Sequence, residues 1–182
     1  DSVPGNVSSY DFNGDGLQDI LFDIYQCVQP VPLQINPSGC LQYDYVYYEL
    51  LSHPGGTFSA AVAIGQEATQ VGTPLFANVN NDACTDVVLN TTILVSACDG
   101  STGGAFTAAY PVVAVMDWNG DGLQDLIESS GSALYVQLST GTGFGSATAI
   151  SGPPASGCTL MVFDANADGL DDLGCSGTSG IQ

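Results

Sequence analysis

The sequence predicts an all-β protein built from repeated four-stranded antiparallel sheets, and three observations carry that expectation. Short apolar runs alternate with clusters of Gly, Ser, Thr and Asn, the pattern of strands punctuated by turns. Glycine is frequent at 23 of 182 residues, with 9 prolines, and hydrophobic residues make up 45% of the chain, enough for a packed core. Above all, one nine-residue loop recurs along the chain at spacings that suit a small β unit.

The loop comes in four copies. The first is Asp11-Phe12-Asn13-Gly14-Asp15-Gly16-Leu17-Gln18-Asp19. The second, more divergent, is Asn78-Val79-Asn80-Asn81-Asp82-Ala83-Cys84-Thr85-Asp86. The third is Asp117-Trp118-Asn119-Gly120-Asp121-Gly122-Leu123-Gln124-Asp125, and the fourth is Asp164-Ala165-Asn166-Ala167-Asp168-Gly169-Leu170-Asp171-Asp172. Their starts lie 67, 39 and 47 residues apart. The two shorter spacings suit one four-stranded unit, and an insertion over about 26–41, rich in proline, lengthens the first.

Strands are expected around each loop. A first strand precedes it (112–116, 159–163) and a second follows it (20–25, 87–89, 126–127). A third strand comes next (43–51, 93–97, 133–138), then a Gly-rich turn. A fourth strand is expected to begin at Phe58, Phe106 and Phe144. Four strands, Gly-rich turns and a repeated aromatic are the cues of a propeller blade. The expected units are blades at about 7–65, 73–111 and 112–151 and a half blade at 158–182, all within one domain, 1–182. That is about three and a half blades, so a second chain or segment is expected to complete the last.

The loop chemistry points to calcium. Ca²⁺ takes six to eight hard oxygens, and a tight loop brings alternate side chains to one point. Loop 1 offers Asp11, Asn13, Asp15, the carbonyl of Leu17 and Asp19. Loop 3 offers Asp117, Asn119, Asp121, the carbonyl of Leu123 and Asp125. Loop 4 offers Asp164, Asn166, Asp168, the carbonyl of Leu170 and Asp172. Loop 2 offers Asn78, Asn80, Asp82, the carbonyl of Cys84 and Asp86. It has two carboxylates where the others have three, and Ala83 replaces a glycine, so three sites are expected and loop 2 is the weakest. An Asx-rich loop can also turn a hairpin without metal, an alternative that three near-identical copies weaken. An EF-hand is disfavoured. Glu128 stands at the twelfth position of loop 3, but Phe22 and Cys175 stand there in loops 1 and 4, and the following residues lack helical periodicity.

The DxNGDGxxD loop, followed one hairpin later by a Gly-Gly-x-Phe or Gly-x-Gly-Phe turn, resembles the FG-GAP/VCBS repeat. That resemblance extends over nearly the whole chain. It implies calcium-binding β-propeller blades of the kind found in integrin α subunits and many secreted microbial proteins.

Charge narrows the function classes. The chain has no Lys or Arg against 19 Asp and Glu, a formal net charge of −19, where about 20 basic residues are ordinary for this length. No side-chain cation is present to meet phosphates, so no nucleic-acid partner is expected. With one histidine, His53 in a Pro-Gly-Gly turn, the usual bases and electrophilic clamps are missing, and no catalysis is expected. Six cysteines suggest disulfides and an oxidising compartment. Fifteen pairings are possible; nearness in sequence predicts Cys27–Cys40, Cys84–Cys98 and Cys158–Cys175. Sequons at Asn6 and Asn90 are candidate glycosylation sites. No apolar stretch is long enough to span a bilayer, and the start at Asp1, without a signal peptide, is expected of a mature or trimmed terminus. Tyr43, Tyr45 and Tyr47 share one strand face, a sheet-packing or subunit-contact surface, and Trp118 is expected to pack on a neighbouring blade.

The expectation is therefore an extracellular, calcium-stabilised structural or adhesion module that self-assembles, as a filament in one form, or makes protein contacts. The alternative is a carbohydrate-binding or carbohydrate-active domain of a larger secreted protein.

Overall fold

The computed structural model describes residues 4–69, 72–152, 157, 159–177 and 180–181. All regular structure among them is β. The first sheet contains β1 (Pro4–Tyr10), β2 (Asp19–Pro30) and β3 (Cys40–Leu50). A small hairpin, β4 (Ser52–His53) with β5 (Thr57–Phe58), follows, and β6 (Val62–Glu67) closes the sheet in the order β1-β2-β3-β6. The second sheet is β7 (Leu75–Ala77), β8 (Asp86–Leu89), β9 (Thr92–Ser96) and β10 (Thr102–Thr107). The third is β11 (Val112–Met116), β12 (Asp125–Ser130), β13 (Ala133–Gln137) and β14 (Thr148–Ile150). A fourth has three strands, β15 (Thr159–Phe163), β16 (Asp172–Gly177) and β17 (Gly180–Ile181). Every pairing is antiparallel and links neighbours in sequence within its sheet, apart from the small hairpin inserted before β6.

Alternation explains how the sheets stack. β-branched and aromatic residues in runs such as Val112-Val113-Ala114-Val115 favour the extended chain, and successive side chains point to opposite faces. Leu21, Tyr10, Phe12 and Tyr47 of the first unit meet Val87, Leu89 and Leu94 of the second. The opposite face of the second sheet, Ala77, Val88 and Ile93, meets Leu126 of the third. Met116, Ile127 and Val136 of the third then meet Leu160, Val162 and Leu173 of the fourth. Each buried aliphatic side chain contributes about 1.5–3 kcal/mol. The first strands also touch in sequence, β11 against both β7 and β15, so loops that begin after each first strand are brought to one end of the stack.

Two expectations need correction. No fourth strand begins at a repeated Phe. Phe58 lies in the small hairpin β4–β5, Phe106 lies inside β10, and Phe144 makes an isolated bridge to Ser139 before β14. The Gly-rich turn forms its own short pairing first, so in the first and third units the outer strand starts later. The second and third strands of the first unit, expected over 20–25 and 43–51, also extend into the insertion. β2 and β3 run on through it as a long hairpin, with Cys27–Cys40 bridging its outer end at a Cα separation of 5.9 Å. Tyr25 stacks there on Tyr43 at 5.4 Å and packs against Tyr45 at 4.8 Å, while Tyr47 is buried in the core.

Candidate metal loops

Loops 1, 3 and 4 share one internal hydrogen-bond pattern. In loop 1 the carboxylate of Asp11 accepts from the backbone N–H groups of Gly14, Asp15 and Gly16 at 2.9, 3.1 and 2.9 Å. Asp117 accepts from Gly120, Asp121 and Gly122 at 2.7, 3.1 and 2.8 Å. Asp164 accepts from Asp168 and Gly169 at 3.2 and 2.8 Å, and these N–H groups, Gly169 foremost, hold its carboxyl below the usual carboxylate range. The fifth-position aspartates Asp15, Asp121 and Asp168 each accept from the N–H two residues on, at 2.8, 2.8 and 2.9 Å. This wrapping requires left-handed backbone at the fourth and sixth positions. Gly14 and Gly16 supply it at φ 73° and 84°, Gly120 and Gly122 at 76° and 88°, and Ala167 and Gly169 at 62° and 87°.

The third-position asparagine faces the fifth-position carboxylate. Its amide donates to Asp15, Asp121 and Asp168 from Asn13, Asn119 and Asn166 at 3.1, 2.9 and 3.0 Å. A neutral amide donor thus stands against a carboxylate in a chain that has no Lys or Arg. Turning that amide presents its carbonyl oxygen instead, so the donor set is three carboxylates, one amide oxygen and one backbone carbonyl, all hard oxygens suited to Ca²⁺.

The ninth-position aspartate has a second task. Asp19, Asp86 and Asp125 are fully buried. Each accepts from its own loop's second residue: Phe12 at 2.9 Å, Val79 at 2.8 Å and Trp118 at 3.0 Å. Each also accepts from a serine N–H at or just beyond the end of the third strand: Ser52 at 2.8 Å, Ser96 at 2.9 Å and Ser139 at 2.7 Å. These carboxylates tie loop to sheet. Burial pushes the carboxyls of Asp86 and Asp125 upward against those hydrogen bonds. Asp172 accepts from Ala165 at 2.8 Å. No serine partner for it occurs among the described residues, where the fourth sheet has only a short third strand.

Loop 2 is built differently. Asn81 keeps the left-handed fourth position at φ 59°, but Ala83 does not adopt it at the sixth. The Asp82–Ala83 peptide is turned so that its carbonyl faces residue 78. Asn78 donates its amide to that carbonyl, and its own Oδ1 is buried with no hydrogen-bond partner. Cys84, at the seventh position, is joined to Cys98. Asp82, Cys84 and Cys98 cluster closely enough to suggest a metal site, but both sulfurs are in the disulfide and are not thiolate ligands. A covalent bond closes the loop whose carboxylates are fewest.

The loops also grip one another. Thr85 of loop 2 donates its N–H to the Asp11 carbonyl at 3.2 Å. Gln124 of loop 3 donates its N–H to the Asn78 carbonyl at 3.1 Å and accepts at Oε1 from Asn78 N–H at 2.7 Å. Asp171 of loop 4 accepts from Asp117 N–H at 3.1 Å. The serines join in: Ser96 Oγ donates to the Phe12 carbonyl at 2.6 Å, and Ser139 Oγ to the Val79 carbonyl at 2.5 Å. A methyl group added at Gly14 would lie 2.9 Å from both the Ala83 carbonyl oxygen and Cys84 Sγ.

The other candidates fall as follows. Cys27–Cys40 and Cys84–Cys98 are bonded as expected. Cys175 is disulfide-bonded, and its expected partner Cys158 lies outside the described residues. Glu128 is buried on β12 and accepts from Ala109 N–H at 3.1 Å, so it serves the junction of sheets and not loop 3. Phe12 is fully buried, whereas Trp118, at the same loop position, is 39% exposed. Asn6 sits half-buried in β1, and Asn90 lines an open cleft of about 340 Å³ with Leu75, Val88 and Val112. His53 pairs with Thr57 in the small hairpin.

Sequence reasoning missed Glu49 and Tyr10. Glu49 pairs with Leu21 in the sheet register. The corresponding partners are Ile93 in the second sheet and Val136 in the third. A carboxyl thus occupies a core position that is elsewhere aliphatic, at 1% exposure and with neither oxygen hydrogen-bonded in normal geometry. Burial first, and the charge of Asp19 second, push its carboxyl up to about 7, with the Tyr10 hydroxyl acting weakly the other way. Aligning the strands after each loop would have exposed the mismatch.

Residues 100–175 match the family model of the FG-GAP-like repeat. No curated protein matches the chain. Among solved structures, the Photorhabdus luminescens Tc holotoxin pore contains a chain similar over 100% of this sequence at 18% identity and a TM-score of 0.49. This sequence spans 11% of that chain's length.

Proposed function

With residues 100–175 carrying FG-GAP-like repeat sequence, we propose that the chain is an extracellular, calcium-stabilised structural module that works through protein contacts, including contacts with its own kind. One observation carries this reading. Loops 1, 3 and 4 each gather three carboxylates and an amide into a preorganised turn, in a chain without a single Lys or Arg to neutralise them. Asp11, Asn13, Asp15, Asp19 and the Leu17 carbonyl hold the first ion, and the corresponding residues of loops 3 and 4 hold two more. Loop 2 relies on Cys84–Cys98. The bound ions offset a net charge that otherwise opposes compaction. The disulfides favour an oxidising compartment, and no helix among the described residues is long and apolar enough to cross a membrane. A non-catalytic role fits a chain with one histidine and aspartates engaged in loop geometry.

The test is thermal unfolding with calcium or EDTA, alongside calorimetric titration with Ca²⁺. At tenfold saturation each site adds about 1.4 kcal/mol to the folded state, so three sites give about 4 kcal/mol and a clear rise in melting temperature. Titration is expected to show three sites, not four. A melting curve indifferent to EDTA, with no heat of Ca²⁺ binding, sinks the reading.

A further inference from the structure

We infer that the outer face of the first sheet docks the exposed face of the fourth sheet of a second copy, so that chains associate head to tail. This rests on the proposed reading of the chain as a self-associating module and specifies the surfaces involved.

The argument comes from the contact that the chain already makes between its own sheets. Ile20, Val87 and Leu126 occupy one position in the first three sheets, the residue after each ninth-position aspartate. Val87 and Leu126 are fully buried against the preceding sheet. Ile20 has no preceding sheet among the described residues and is half-exposed. Phe22 is likewise half-exposed, while its counterparts Leu89 and Glu128 are fully buried. The first sheet therefore presents the apolar positions of a sheet junction without the junction.

Its polar groups repeat the lesson. Gln124 makes two hydrogen bonds to the first residue of the loop before it. Gln18 is the same residue at the same place in a nearly identical loop, is exposed, and has no hydrogen bond to any described residue. Ser96 and Ser139 donate their hydroxyls to the second-position carbonyl of the preceding loop. The hydroxyl of Ser52, their counterpart, is buried without a hydrogen-bond partner.

The fourth sheet carries the complement. Phe163 pairs with Asp172 as Met116 pairs with Asp125. Met116 is fully buried by the next sheet, whereas Phe163 is 39% exposed. Among described residues, nothing donates to the carbonyls of Asp164 or Ala165, the first and second positions of loop 4. These are the acceptors that Gln18 and Ser52 lack. One end of the chain has Gln18 exposed and the buried Ser52 hydroxyl without a partner, the other has carbonyls that no described residue meets with a donor, and both have apolar side chains that are only partly covered, Phe22 by its stacking on Tyr48. Two different complementary surfaces on one chain make a heterologous contact, which repeats from copy to copy.

The experiment is sedimentation of the 182-residue chain in calcium over a range of concentrations, with Phe22→Glu and Phe163→Glu. The wild type is expected to grow past the dimer as concentration rises. Each variant alone should remain monomeric, and an equimolar mixture of the two should stop at a heterodimer. A wild type that stays monomeric overturns the inference. So does a dimer that Phe163→Glu leaves intact, which would be a face-to-face pair, and so does assembly indifferent to both variants. Should a longer form of the polypeptide cover this face with its own sheet, it will stay monomeric where the 182-residue chain assembles, and that also overturns a second copy as occupant. Unfolding curves of both variants in calcium and EDTA keep the two ideas separate. Folded, calcium-responsive variants that still assemble sink the docking surface alone. Assembly of a wild type that ignores EDTA sinks the calcium reading alone.

Discussion

At the scale of single residues, position within the loop decides what a carboxylate does. Asp11 and Asp15 lie near the surface and shape the turn, while Asp19 is buried and joins the turn to Ser52 beyond the third strand. Hydrogen bonds to a charged acceptor contribute about 1.5–3 kcal/mol each, so the ninth position matters to the fold with or without an ion. Glu49 works in the opposite direction. Its folded-state carboxyl titrates at about 7 against an ordinary 4.5, so the folded chain holds this proton more tightly than the unfolded chain. Its contribution is therefore fully present below about pH 4.5 and is lost as pH rises towards 7. In EDTA, Glu49→Gln is expected to remove this loss and to stabilise the chain by about 1–3 kcal/mol at pH 7.5, with little effect at pH 4. Urea unfolding of both proteins across that range measures it. Parallel curves for variant and wild type would refute the assignment. Calcium at loop 1 should shrink the difference, because it offsets the charge of Asp19.

Elements show two ways of closing the same loop. Loops 1, 3 and 4 rely on left-handed residues at the fourth and sixth positions, which wrap the backbone N–H groups around an aspartate. Loop 2 loses the sixth-position wrap at Ala83 and gains the Cys84–Cys98 bond. Removing a cross-link over a loop of this size costs about 3 kcal/mol. Cys84→Ser with Cys98→Ser should therefore lose that much, and hydrogen exchange should rise first in β8, β9 and their loop. EDTA should instead raise exchange in loops 1, 3 and 4 and spare loop 2. Equal sensitivity of all four loops to EDTA would contradict the division.

Over the whole molecule, stability is set by charge against apolar stacking. Three cores hold the sheets together, while a formal charge of −19 pushes the chain apart. Without calcium, screening should take over part of the task proposed for the ions. The Debye length falls from about 30 Å at 0.01 M salt to about 3 Å at 1 M. In EDTA the melting temperature should therefore climb with sodium chloride, and in saturating calcium it should climb less. A melting temperature in EDTA that is flat across this range would show that repulsion is not the opposing force.

The sequence by itself determined the repeat, the all-β class, the loop residues and the local pairing of Cys27–Cys40 and Cys84–Cys98. Each of these is written in short spacings, where chain geometry leaves few alternatives: Asp, Asn, Asp and Gly at fixed offsets, or two cysteines one hairpin apart. The start of the outer strand was less legible, because the Gly-rich turn before it can pair with itself, as Ser52–His53 does with Thr57–Phe58. Only the tertiary structure decided which carboxylates are buried, why Asn78 cannot act as Asp11 does, and where Glu49 sits. It also decided which faces are left uncovered: Ile20 and Phe22 differ from Val87 and Leu89 in having no sheet beyond them among the described residues. The physical reason is that burial depends on what stacks against a residue from another part of the chain, and a repeat pattern does not record which of its copies stands at the end of a stack.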